Sequence, residues 1–589
     1  MSGRVVDSIA AQARRRPRAA ALVAPDGGLD YSGLDSRSAE LAAHLLRQGV
    51  RPGDVVLIQA SRGVALGMAV LAVLRAGGAF CVVDPQYPVD RIEHMWHRSR
   101  ARFALVEPGL HTPDVPHGPL ALPLPSYATS SGTVRNEPMP APPKPGAEDP
   151  AYLVFTSGST GGPKAISMPH RSLDNLIEWT LASTSREPLR TLAFAPLGFD
   201  VFVQEVLTTW SSGGCLYAPS DAERVDLQRV WEMCRDREIQ RLFLPPVALR
   251  RLAELTGEFG ILPGALREVA VAGEALRITP AIRDLFHRLP AARLHNHYGP
   301  AETHVALAHT LPGPPQSWPD LPPIGRPLPG MTAHVAPSAS AEGGELLLAG
   351  VGLAHGYVHD PRQTAERFRS TWIDGRSVRA YRTGDLVRER SDGVLEYLGR
   401  ADDQLKIRGY RVEPGEVEAT LLRHPAVREC AVTAWTPPHG EEHWLVAHAV
   451  AAPGHTPDAD ELRSHCAESL PAYMVPQHVM FSSGLPLSPN GKIDRRRLPA
   501  PDAAADNVAV LPDRGDVRSA VAAIWSTVLG IADIPSDRHF MDLGGTSLSA
   551  ALVVTRLHRR FHVQVSVQEF LYEPTVDAVA ALITERAAA

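Results

Sequence analysis

The first 400 residues alternate regularly between short apolar runs and longer amphipathic segments. The apolar run 55–58 precedes a helix-like segment at 67–75, and a second apolar run at 79–83 follows. Short apolar runs are typical of buried strands, and periodic apolar positions between them are typical of helices. The alternation therefore predicts βαβ units and an α/β fold with stacked, mainly parallel sheets.

The length of 589 residues predicts several domains, and composition places their boundaries. Proline-rich stretches at 138–150 and 311–329 predict surface connections. The segment 500–514 is rich in Ala, Pro and Asp, which is typical of a linker. The C-terminal segment has helical periodicity at 517–529, 548–561 and 576–586. We predict an α/β domain at 1–399, a small α+β domain at 400–499, the linker at 500–514 and a helical bundle at 515–589.

Charge and cysteine usage exclude several classes of partner and site. The net charge of -6 gives no electrostatic reason to expect nucleic acid or an anionic membrane as a partner. The N-terminus lacks the apolar core of a signal peptide, and no run of about 18 apolar residues predicts a membrane span. The five cysteines have neither metal-site nor disulfide spacing. We therefore expect a soluble, cytoplasmic protein with reduced thiols.

A single serine near the C-terminus stands at the start of a predicted helix. Ser547 follows Gly544-Gly545-Thr546, and Leu548 begins an apolar, helix-periodic run. A phosphate ester is favoured at this place by the free amide groups and the dipole of the helix. A helix-capping serine is the alternative, and no histidine base lies beside Ser547 in the sequence. The residues alone leave both interpretations open.

A Ser/Thr/Gly-rich loop that ends in lysine follows the apolar run 152–155. Its glycines allow close backbone approach to an anion, its hydroxyls donate hydrogen bonds and its lysine supplies charge, which suits a triphosphate. It is not a P-loop, because Pro163 stands where that motif needs glycine and Ala165 follows the lysine. A solvated loop is the alternative. The candidate phosphate-binding residues are Thr156, Ser157, Gly158, Ser159, Thr160, Gly161 and Lys164.

Four further segments contain side chains that could bind a ligand, and each of them alone is a weak signal. The segment 296–303 joins an aromatic ring, a turn and a carboxylate, which suits a base and a hard cation. The segment 381–386 ends a predicted strand with an aspartate that can accept two hydroxyl hydrogen bonds, as ribose recognition needs. The segment 399–413 has alternating charge, and 487–494 places a lysine on a turn. Ordinary turns and solvated strand faces are the alternatives.

Together, in this order and spacing, the five segments resemble the core motifs of adenylate-forming enzymes. The closest resemblance is to an amino-acid adenylation domain of a nonribosomal peptide synthetase. The segment 543–548 resembles the peptidyl carrier protein that follows such a domain. The resemblance covers essentially the whole chain and includes the segments 75–80 and 344–350.

The resemblance implies roles in ATP binding and catalysis. The loop 156–164 would handle the β- and γ-phosphates, with Thr156 and Lys164 among the catalytic residues. Tyr298 would stack on adenine beside Asn296, and Glu302 would bind Mg²⁺.

Further roles concern the ribose, the hinge and the tether. Asp385 would hold the ribose hydroxyls, and Arg400 would add a ribose or phosphate contact. Asp402 matches the hinge between two half-reactions, and Lys492 matches the lysine that bridges the substrate carboxylate and the α-phosphate. Ser547 would carry a covalent 4′-phosphopantetheine arm.

Three positions depart from the family pattern. Ala301 stands where a threonine is usual, which removes a hydroxyl that can contact the α-phosphate. Ala165 replaces a glycine, and His355 replaces an arginine. None of these changes removes Lys492 or Asp385, so we expect activity.

The motif 199–200 implies that Asp200 pairs with the α-ammonium group of an amino acid. Polar side chains of the implied pocket, apart from Asp200 and Lys492, are limited to Gln204 and His297, so a charged substrate side chain is poorly served. The start of the pocket resembles those of proline-activating domains, while Ala270 and Ala306 give extra room, so a substituted proline or a larger ring stays open. Some positions could also be plain core, and His297 could be a structural histidine. The implied pocket consists of Asp200, Val201, Gln204, Phe243, Ala270, Ala272, His297, Val305 and Ala306, closed by Lys492.

The resemblance implies a ligase that activates L-proline or a proline-like amino acid with ATP and Mg²⁺, and loads the arm on Ser547 in secondary-metabolite biosynthesis. One alternative is an acyl-coenzyme A ligase, and another is a catalytically weak carrier that is loaded in trans. The implied partners are a phosphopantetheinyl transferase, an MbtH-like protein, and a tailoring or condensing enzyme.

Overall fold

The structure is a computed structural model in which the chain forms two compact units. The first unit comprises Met1–Gly158, Gly162–Ser220 and Glu232–Gln404, and the second comprises Ser159–Gly161, Asp221–Trp231 and Leu405–Ala589. The residues that the structure describes are 4–115, 118–125, 144–158, 162–184, 187–337, 343–373, 375–402, 404–407, 409–436, 443–486, 493–501, 517–529, 534–540, 543, 545, 550, 553–554, 556–557, 560–561, 563, 565 and 567–588.

The part of the chain before Leu405 carries three sheets and the helices that cover them. Its strands are β1 Ala20–Ala24, β2 Gly27–Asp30, β3 Val55–Gln59, β4 Ala79–Val83, β5 Phe103–Val106, β6 Leu120–Pro123, β7 Pro150–Thr156, β8 Lys164–Pro169, β9 Arg190–Leu192, β10 Cys215–Tyr217, β11 Arg241–Leu244, β12 Glu268–Val271, β13 Arg293–Tyr298, β14 Leu307–Thr310, β15 Arg326–Pro327, β16 Met331–Ala336, β17 Gly344–Gly350, β18 Gly356–Tyr357, β19 Phe368–Ile373, β20 Arg376–Glu389 and β21 Leu395–Arg400. Its helices are α1 Arg4–Arg15, α2 Tyr31–Arg47, α3 Val64–Arg75, α4 Val89–Ser99, α5 His170–Ser183, α6 Asp200–Ser211, α7 Asp221–Val225, α8 Leu227–Asp236, α9 Pro246–Phe259, α10 Pro280–Arg288 and α11 Pro361–Arg367.

Two of the three sheets are mainly parallel. The nine-stranded sheet has the order β15-β14-β13-β12-β11-β9-β10-β1-β2, and its central strands from β13 to β1 run parallel. The seven-stranded sheet has the order β18-β8-β7-β4-β3-β5-β6, with parallel pairs from β7 to β6. Because both faces of such sheets are covered by helices, their strands are apolar runs, and every residue of β4 is buried. The predicted α/β class is confirmed.

Helix α3 shows which sequence pattern produces a buried crossover helix. It links β3 to β4, which pair in parallel, and ten of its residues are buried. Its sequence is apolar on all sides because it packs against both the sheet and helix α2, with Leu71, Ala72 and Val73 inaccessible to solvent. The helix predicted at 67–75 therefore begins slightly earlier, at Val64.

The third sheet is antiparallel, which the strand–helix alternation did not predict. Its five strands have the order β16-β17-β20-β19, with β21 paired to β20. Strands that follow one another in the chain pair in antiparallel fashion, β16 with β17, β19 with β20, and β20 with β21, and such pairs need no crossover helix. This sheet carries the residues 381–386 and 399–400 that the sequence analysis singled out.

The second unit contains a small α+β part and a helical part. Aromatic side chains that are inaccessible to solvent form the core of the helical part, namely Trp525, Phe540 and Phe570. The helix predicted at 517–529 begins and ends at those residues, and the helix predicted at 548–561 is helical at its described positions from Ala550 to Phe561. The elements of this unit are β22 Leu405–Ile407, β23 Tyr410–Val412, β24 Val427–Trp435, β25 Trp444–Ala451, β26 His478–Phe481, α12 Pro414–Leu421, α13 Ala459–Ser469, and the helices Val517–Leu529, Val567–Tyr572 and Val576–Ala588.

Among the helices in the described ranges, none has both the length and the apolarity that a bilayer crossing needs.

Candidate active site

The hairpin of β20 and β21 holds the predicted ribose-binding aspartate. Asp385 pairs in register with Arg400, the last residue of β21. Arg400 Nη1 donates a hydrogen bond to Asp385 Oδ1 over 2.6 Å, and little of either side chain is exposed. A buried carboxylate is strongly destabilising unless it is paired with a cation. The register of this hairpin places Arg400 opposite Asp385 and so provides that cation.

Tyr298, at the end of β13, reaches the same carboxylate. Its Oη donates a hydrogen bond to Asp385 Oδ2 over 2.5 Å. Burial, and after it the charge of Asp385, raises the pKa of Tyr298 well above its ordinary value. The phenol therefore stays protonated. The structure places the predicted adenine-stacking and ribose-binding residues in direct contact.

The predicted hinge residue, Asp402, shares the guanidinium of Arg400. Arg400 Nε donates to Asp402 Oδ1 over 2.6 Å, and Nη2 donates to Asp402 Oδ2 over 2.8 Å. Burial raises the pKa of Asp402, but the hydrogen bonds and charge of Arg400 outweigh burial and leave that pKa below its ordinary value. The bidentate pair is therefore ionised at neutral pH. Arg400 joins two acidic residues that the sequence placed in different roles.

The predicted phosphate loop is framed by the hairpin of β7 and β8. Thr156 and Lys164 pair in register at the loop end of this hairpin. A Cβ atom at Gly158 would lie 2.0 Å from the carbonyl oxygen of Gly162, so the backbone closes there only with glycine. Thr156 Oγ1 is buried and has no hydrogen-bond partner among the described residues. An unpaired buried hydroxyl at the mouth of the loop fits a phosphate-binding site. Ser159, Thr160 and Gly161 lie outside the described residues.

Tyr357 connects Lys164 to Glu302, and the sequence analysis gave it no role. Lys164 Nζ lies 4.5 Å from the centroid of the Tyr357 ring, and Tyr357 Oη donates to Glu302 Oε1 over 2.7 Å. Glu302 is inaccessible to solvent. A carboxylate held in this way can bind a hard cation such as Mg²⁺. The signal that could have identified Tyr357 is its place at the end of the glycine-rich segment 350–357.

Several residues of the predicted amino-acid pocket lie at the carboxyl ends of parallel strands. Phe243 of β11 pairs with Ala270 of β12, and Ala270 pairs with His295 of β13. Ala272 follows β12, with its amide donating to Leu244. Carboxyl ends of this kind form the usual ligand crevice of parallel sheets. Asn296 is buried in β13, and its Nδ2 donates to the carbonyl oxygen of Pro323 over 2.9 Å, which is a structural contact.

Asp200 begins helix α6, and four further predicted pocket residues lie on α6 or in the segment that follows β13. Asp200 Oδ1 accepts a hydrogen bond from the amide of Val201 over 2.8 Å, which orients the carboxylate at the positive end of the helix. Gln204, on the same helix, donates to Thr180 Oγ1 over 3.1 Å and is 1% exposed. The remaining predicted residues nearby, Val305 and Ala306, are buried.

His297 lies against Trp179, with ring centroids 5.2 Å apart. Burial, and then the neighbouring His295 and His304, lowers the pKa of His297 to about 3. The imidazole is therefore neutral over the physiological range. It supplies polarity to the predicted pocket without charge.

His304 is a polar residue in this region that the sequence analysis did not select. It is 3% exposed and has a φ of 55°, which is unusual for a residue other than glycine. Its Nδ1 shares a hydrogen bond of 2.9 Å with the hydroxyl of Tyr152, and its Nε2 is buried without a partner among the described residues. Burial lowers the pKa of His304, although the charge of Asp200 opposes this effect.

Of the three departures from the family pattern, Ala301 packs partly buried against the core, and Ala165 is a buried residue of β8. His355 Nδ1 shares a hydrogen bond of 3.1 Å with Ser167 Oγ. Burial, followed by the charge of Arg171, lowers the pKa of His355, so it does not replace the fixed charge of an arginine.

Two further predicted residues, Lys492 and Ser547, lie outside the described residues. All five cysteines are buried and free. Within the described ranges, no group of three or more His, Cys, Asp or Glu side chains could hold a metal ion. A Mg²⁺ ion that is bound with a nucleotide needs only one or two protein carboxylates, because phosphate oxygens and water complete its shell.

Three family models match the chain in sequence order. The model described as AMP-binding enzyme matches residues 9–358, and the model of the AMP-binding enzyme C-terminal domain matches 416–492. The model described as phosphopantetheine attachment site matches residues 519–583.

Curated relatives include peptide synthetases that are longer than this chain. Phosphinothricin tripeptide synthetase PhsC of Streptomyces viridochromogenes is 38% identical over 98% of this chain, which covers 52% of that relative. Tyrocidine synthase 2 of Brevibacillus parabrevis is 33% identical over 97% of this chain, which covers 16% of that relative. The chain thus spans about half or less of the length of these relatives.

A solved structure has the same domain content. It is the holo form of a nonribosomal peptide synthetase protein with adenylation and carrier domains, bound to a vinylsulfonamide inhibitor. Its TM-score to this chain is 0.80 at 25% sequence identity, with 99% of this chain and 96% of that chain covered.

Proposed function

Because the chain belongs to the AMP-binding enzyme family of ATP-dependent, adenylate-forming ligases and carries a fused phosphopantetheine carrier domain, we propose that it activates an amino acid and loads its own carrier. The amino acid would react with ATP to give an aminoacyl-AMP and pyrophosphate. The thiol of the arm on Ser547 would then displace AMP and form a thioester. The observation that carries the proposal is the contact of Tyr298, Asp385 and Arg400 in one unit.

The nucleotide would be held by residues with complementary chemistry. Tyr298 offers an aromatic face for adenine, and the Asp385 carboxylate can accept hydrogen bonds from the ribose hydroxyls. Arg400 would contact the ribose or a phosphate. The unpaired Thr156 Oγ1, the backbone of the loop and Lys164 would contact the β- and γ-phosphates.

The attacking carboxylate and the α-phosphate are both anions, so charge must be neutralised where they meet. Glu302 would hold Mg²⁺ at the phosphates, and Lys492 would bridge the carboxylate and the α-phosphate. Magnesium would stabilise the charge that develops on the phosphate oxygens. Asp402 would be the hinge at which the small domain turns between adenylation and thioester formation.

We propose L-proline or a proline-like amino acid as the substrate. Asp200 would pair with the α-ammonium group. The rest of the pocket offers apolar side chains with the neutral groups of Gln204 and His297, which suits an uncharged ring. Ala270 and Ala306 leave room for a substituent on that ring.

A mass measurement on the carrier tests this proposal. The phosphopantetheinylated protein is incubated with ATP, Mg²⁺ and a panel of amino acids that includes proline, and the intact mass is recorded. We expect a mass increase of one prolyl group. The Ser547→Ala variant should lose this increase but keep amino-acid-dependent pyrophosphate exchange, while the neighbouring Thr546→Ala variant should keep both.

Other outcomes would replace parts of the proposal. Loading of a different amino acid removes the proline assignment alone. Soluble coenzyme A esters without a protein thioester indicate an acyl-coenzyme A ligase. Pyrophosphate exchange that is absent with every amino acid, also with an MbtH-like helper, indicates a carrier that is loaded in trans.

The proposed partners follow from the carrier chemistry. A phosphopantetheinyl transferase must attach the arm to Ser547 before any loading. A tailoring or condensing enzyme would use the tethered amino acid, and an MbtH-like protein would support the adenylation domain.

A further inference from the structure

We propose that Tyr357 is a positioning residue for adenylation, which holds Lys164 and Glu302 in place for the phosphates of ATP and their Mg²⁺ ion. This inference rests on the proposed activation of an amino acid with ATP. It gives a role to a residue that the sequence analysis did not select. It also makes the lysine and the carboxylate of the proposed phosphate site depend on one side chain.

The backbone around Tyr357 is tied to the segments that carry Lys164 and Glu302. Strand β18 pairs with β8, the strand that begins at Lys164, and places Tyr357 opposite Ile166. Just before β18, the amide of Ala354 donates to the carbonyl oxygen of Glu302 over 2.9 Å. Backbone hydrogen bonds therefore fix the position of Tyr357 relative to both residues.

The side chain of Tyr357 contacts Lys164 with its ring and Glu302 with its hydroxyl. The Nζ atom of Lys164 lies 4.5 Å from the ring centroid, which is within the range of a cation–π contact. The hydroxyl donates to Glu302 Oε1 over 2.7 Å. Phe368 packs against the ring with centroids 6.0 Å apart, and Tyr357 is 5% exposed, so packing sets the orientation of the ring.

A phenol hydroxyl suits a carboxylate that must still bind a cation. Glu302 is inaccessible to solvent, so its carboxylate needs hydrogen-bond donors. An arginine in the place of Tyr357 would neutralise the charge that attracts Mg²⁺, whereas a neutral hydroxyl orients the carboxylate and leaves its charge intact. Removal of such a donor typically lowers metal affinity by about 10- to 100-fold.

The ring acts on Lys164 by holding its ammonium group before the nucleotide binds. A lysine side chain is long and flexible, and it loses conformational freedom when it binds a phosphate. A ring that already holds the ammonium group reduces this loss and so favours binding. We expect the contact to strengthen ATP binding by about 3- to 30-fold, as the energy of a cation–π contact implies. This effect does not need Mg²⁺, which separates it from the effect on Glu302.

Two substitutions separate the two contacts. Tyr357→Phe removes the hydroxyl and keeps the ring, whereas Tyr357→Leu removes both. Calorimetric titration of the full chain measures the Kd for ATP with excess Mg²⁺ and again with EDTA, and the ratio of the two is the gain from Mg²⁺. Tyr357→Phe should reduce this gain by about 10-fold or more and leave the Kd in EDTA within about twofold of the wild type. Tyr357→Leu should also raise the Kd in EDTA by about 3- to 30-fold.

Tyr31→Phe is the matched control for the loss of a buried hydroxyl. Tyr31 is inaccessible to solvent, and its hydroxyl donates to the carbonyl oxygen of Gly214 over 2.8 Å. This variant should lower the melting temperature but leave both Kd values unchanged. Glu302→Gln tests the route of the effect. If the hydroxyl acts through Glu302, adding Tyr357→Phe to Glu302→Gln should reduce the gain from Mg²⁺ no further.

The opposite results are equally specific. An unchanged gain from Mg²⁺ in Tyr357→Phe overturns the role at Glu302, and equal Kd values of Tyr357→Phe and Tyr357→Leu in EDTA overturn the role of the ring. Weaker binding by Tyr357→Phe to the same extent with and without Mg²⁺ indicates a structural role and overturns the inference. These titrations contain no amino acid. A wild type that binds ATP but exchanges pyrophosphate with no amino acid therefore contradicts the proposed function alone.

Discussion

Three buried histidines, His295, His297 and His304, lie on β13 and in the segment that follows it. His295 shares a short hydrogen bond with Glu268, whereas burial lowers the pKa of His297 and of His304. His297 and His304 in such surroundings act through hydrogen bonds and ring contacts of the neutral imidazole. A buried, neutral histidine lowers the free energy of unfolding when the protein is acidified.

We predict that acidification destabilises the first unit through His297. In the unfolded chain its pKa is about 6.5, whereas in the folded protein it is about 3, so between these values only the unfolded state binds a proton. The free energy of unfolding should therefore fall as pH drops below about 6.5, by roughly 1.4 kcal/mol per pH unit from this residue. Denaturant unfolding at pH 7.5, 6 and 5 measures the slope.

The matched variants are His297→Asn and His97→Asn, the second on an exposed position. Only His297→Asn should flatten the pH dependence. Equal slopes in both variants would show that the lost stability comes from other groups.

At the scale of secondary structure, the sequence pattern predicted those elements whose formation depends on neighbouring residues alone. The apolar run 79–83 became β4 at the same residues, because a strand that is buried on both faces has no other composition. The pairing of Asp385 with Arg400 could not be predicted, since the register shifts between Leu386 and Val387 and no local signal fixes that irregularity. The predicted roles of the site residues are still predictions, while their proximity is a finding.

Strand β20 contains a glycine that lies against the side chains of Arg400 and Asp402. Gly384 has a φ of 74°, and a Cβ atom there would lie 2.7 Å from Asp402 Oδ2 and 2.9 Å from Arg400 Nη2. We predict that Gly384→Ala lowers the free energy of unfolding by about 1–3 kcal/mol and raises the KM for ATP about tenfold, because the Arg400 pairs must shift. Gly375→Ala is the control, since Gly375 has a φ of 76° with no atom within 4 Å of its Cβ position. Equal effects on the ATP KM in both variants would argue against a role in the site.

On the scale of the whole chain, the helical carrier region has a core of its own, apart from the core of the α+β part of the second unit, so loss of the carrier fold should be separable from loss of adenylation. The carrier region packs Trp525 against Phe540 and Phe570, with centroid distances of 4.7 Å and 5.5 Å. A buried Trp→Ala change costs about 3–5 kcal/mol, which is comparable to the stability of a domain of this size. We predict that Trp525→Ala prevents attachment of phosphopantetheine but leaves amino-acid-dependent pyrophosphate exchange intact.

Intact mass after treatment with the transferase, measured beside the exchange rate, tests this separation. Tyr572→Ala changes an aromatic residue of the same region that is 90% exposed, and it should be modified normally. Loss of exchange in Trp525→Ala would mean that the rest of the chain depends on the carrier region for folding.

The guanidinium of Arg400 is shared between Asp385 and Asp402, and this sharing has a consequence for the order of the two half-reactions. One of its nitrogens donates to Asp385, the predicted ribose-binding residue, and two donate to Asp402, so one rigid group contacts both residues. If residue 402 turns, hydrogen-bond donors are released toward the nucleotide. A nucleotide that takes up those donors must then bias the turn by the same free energy, because such coupling is reciprocal. Arg400 would in this way couple the binding of the nucleotide to the change from adenylation to thioester formation.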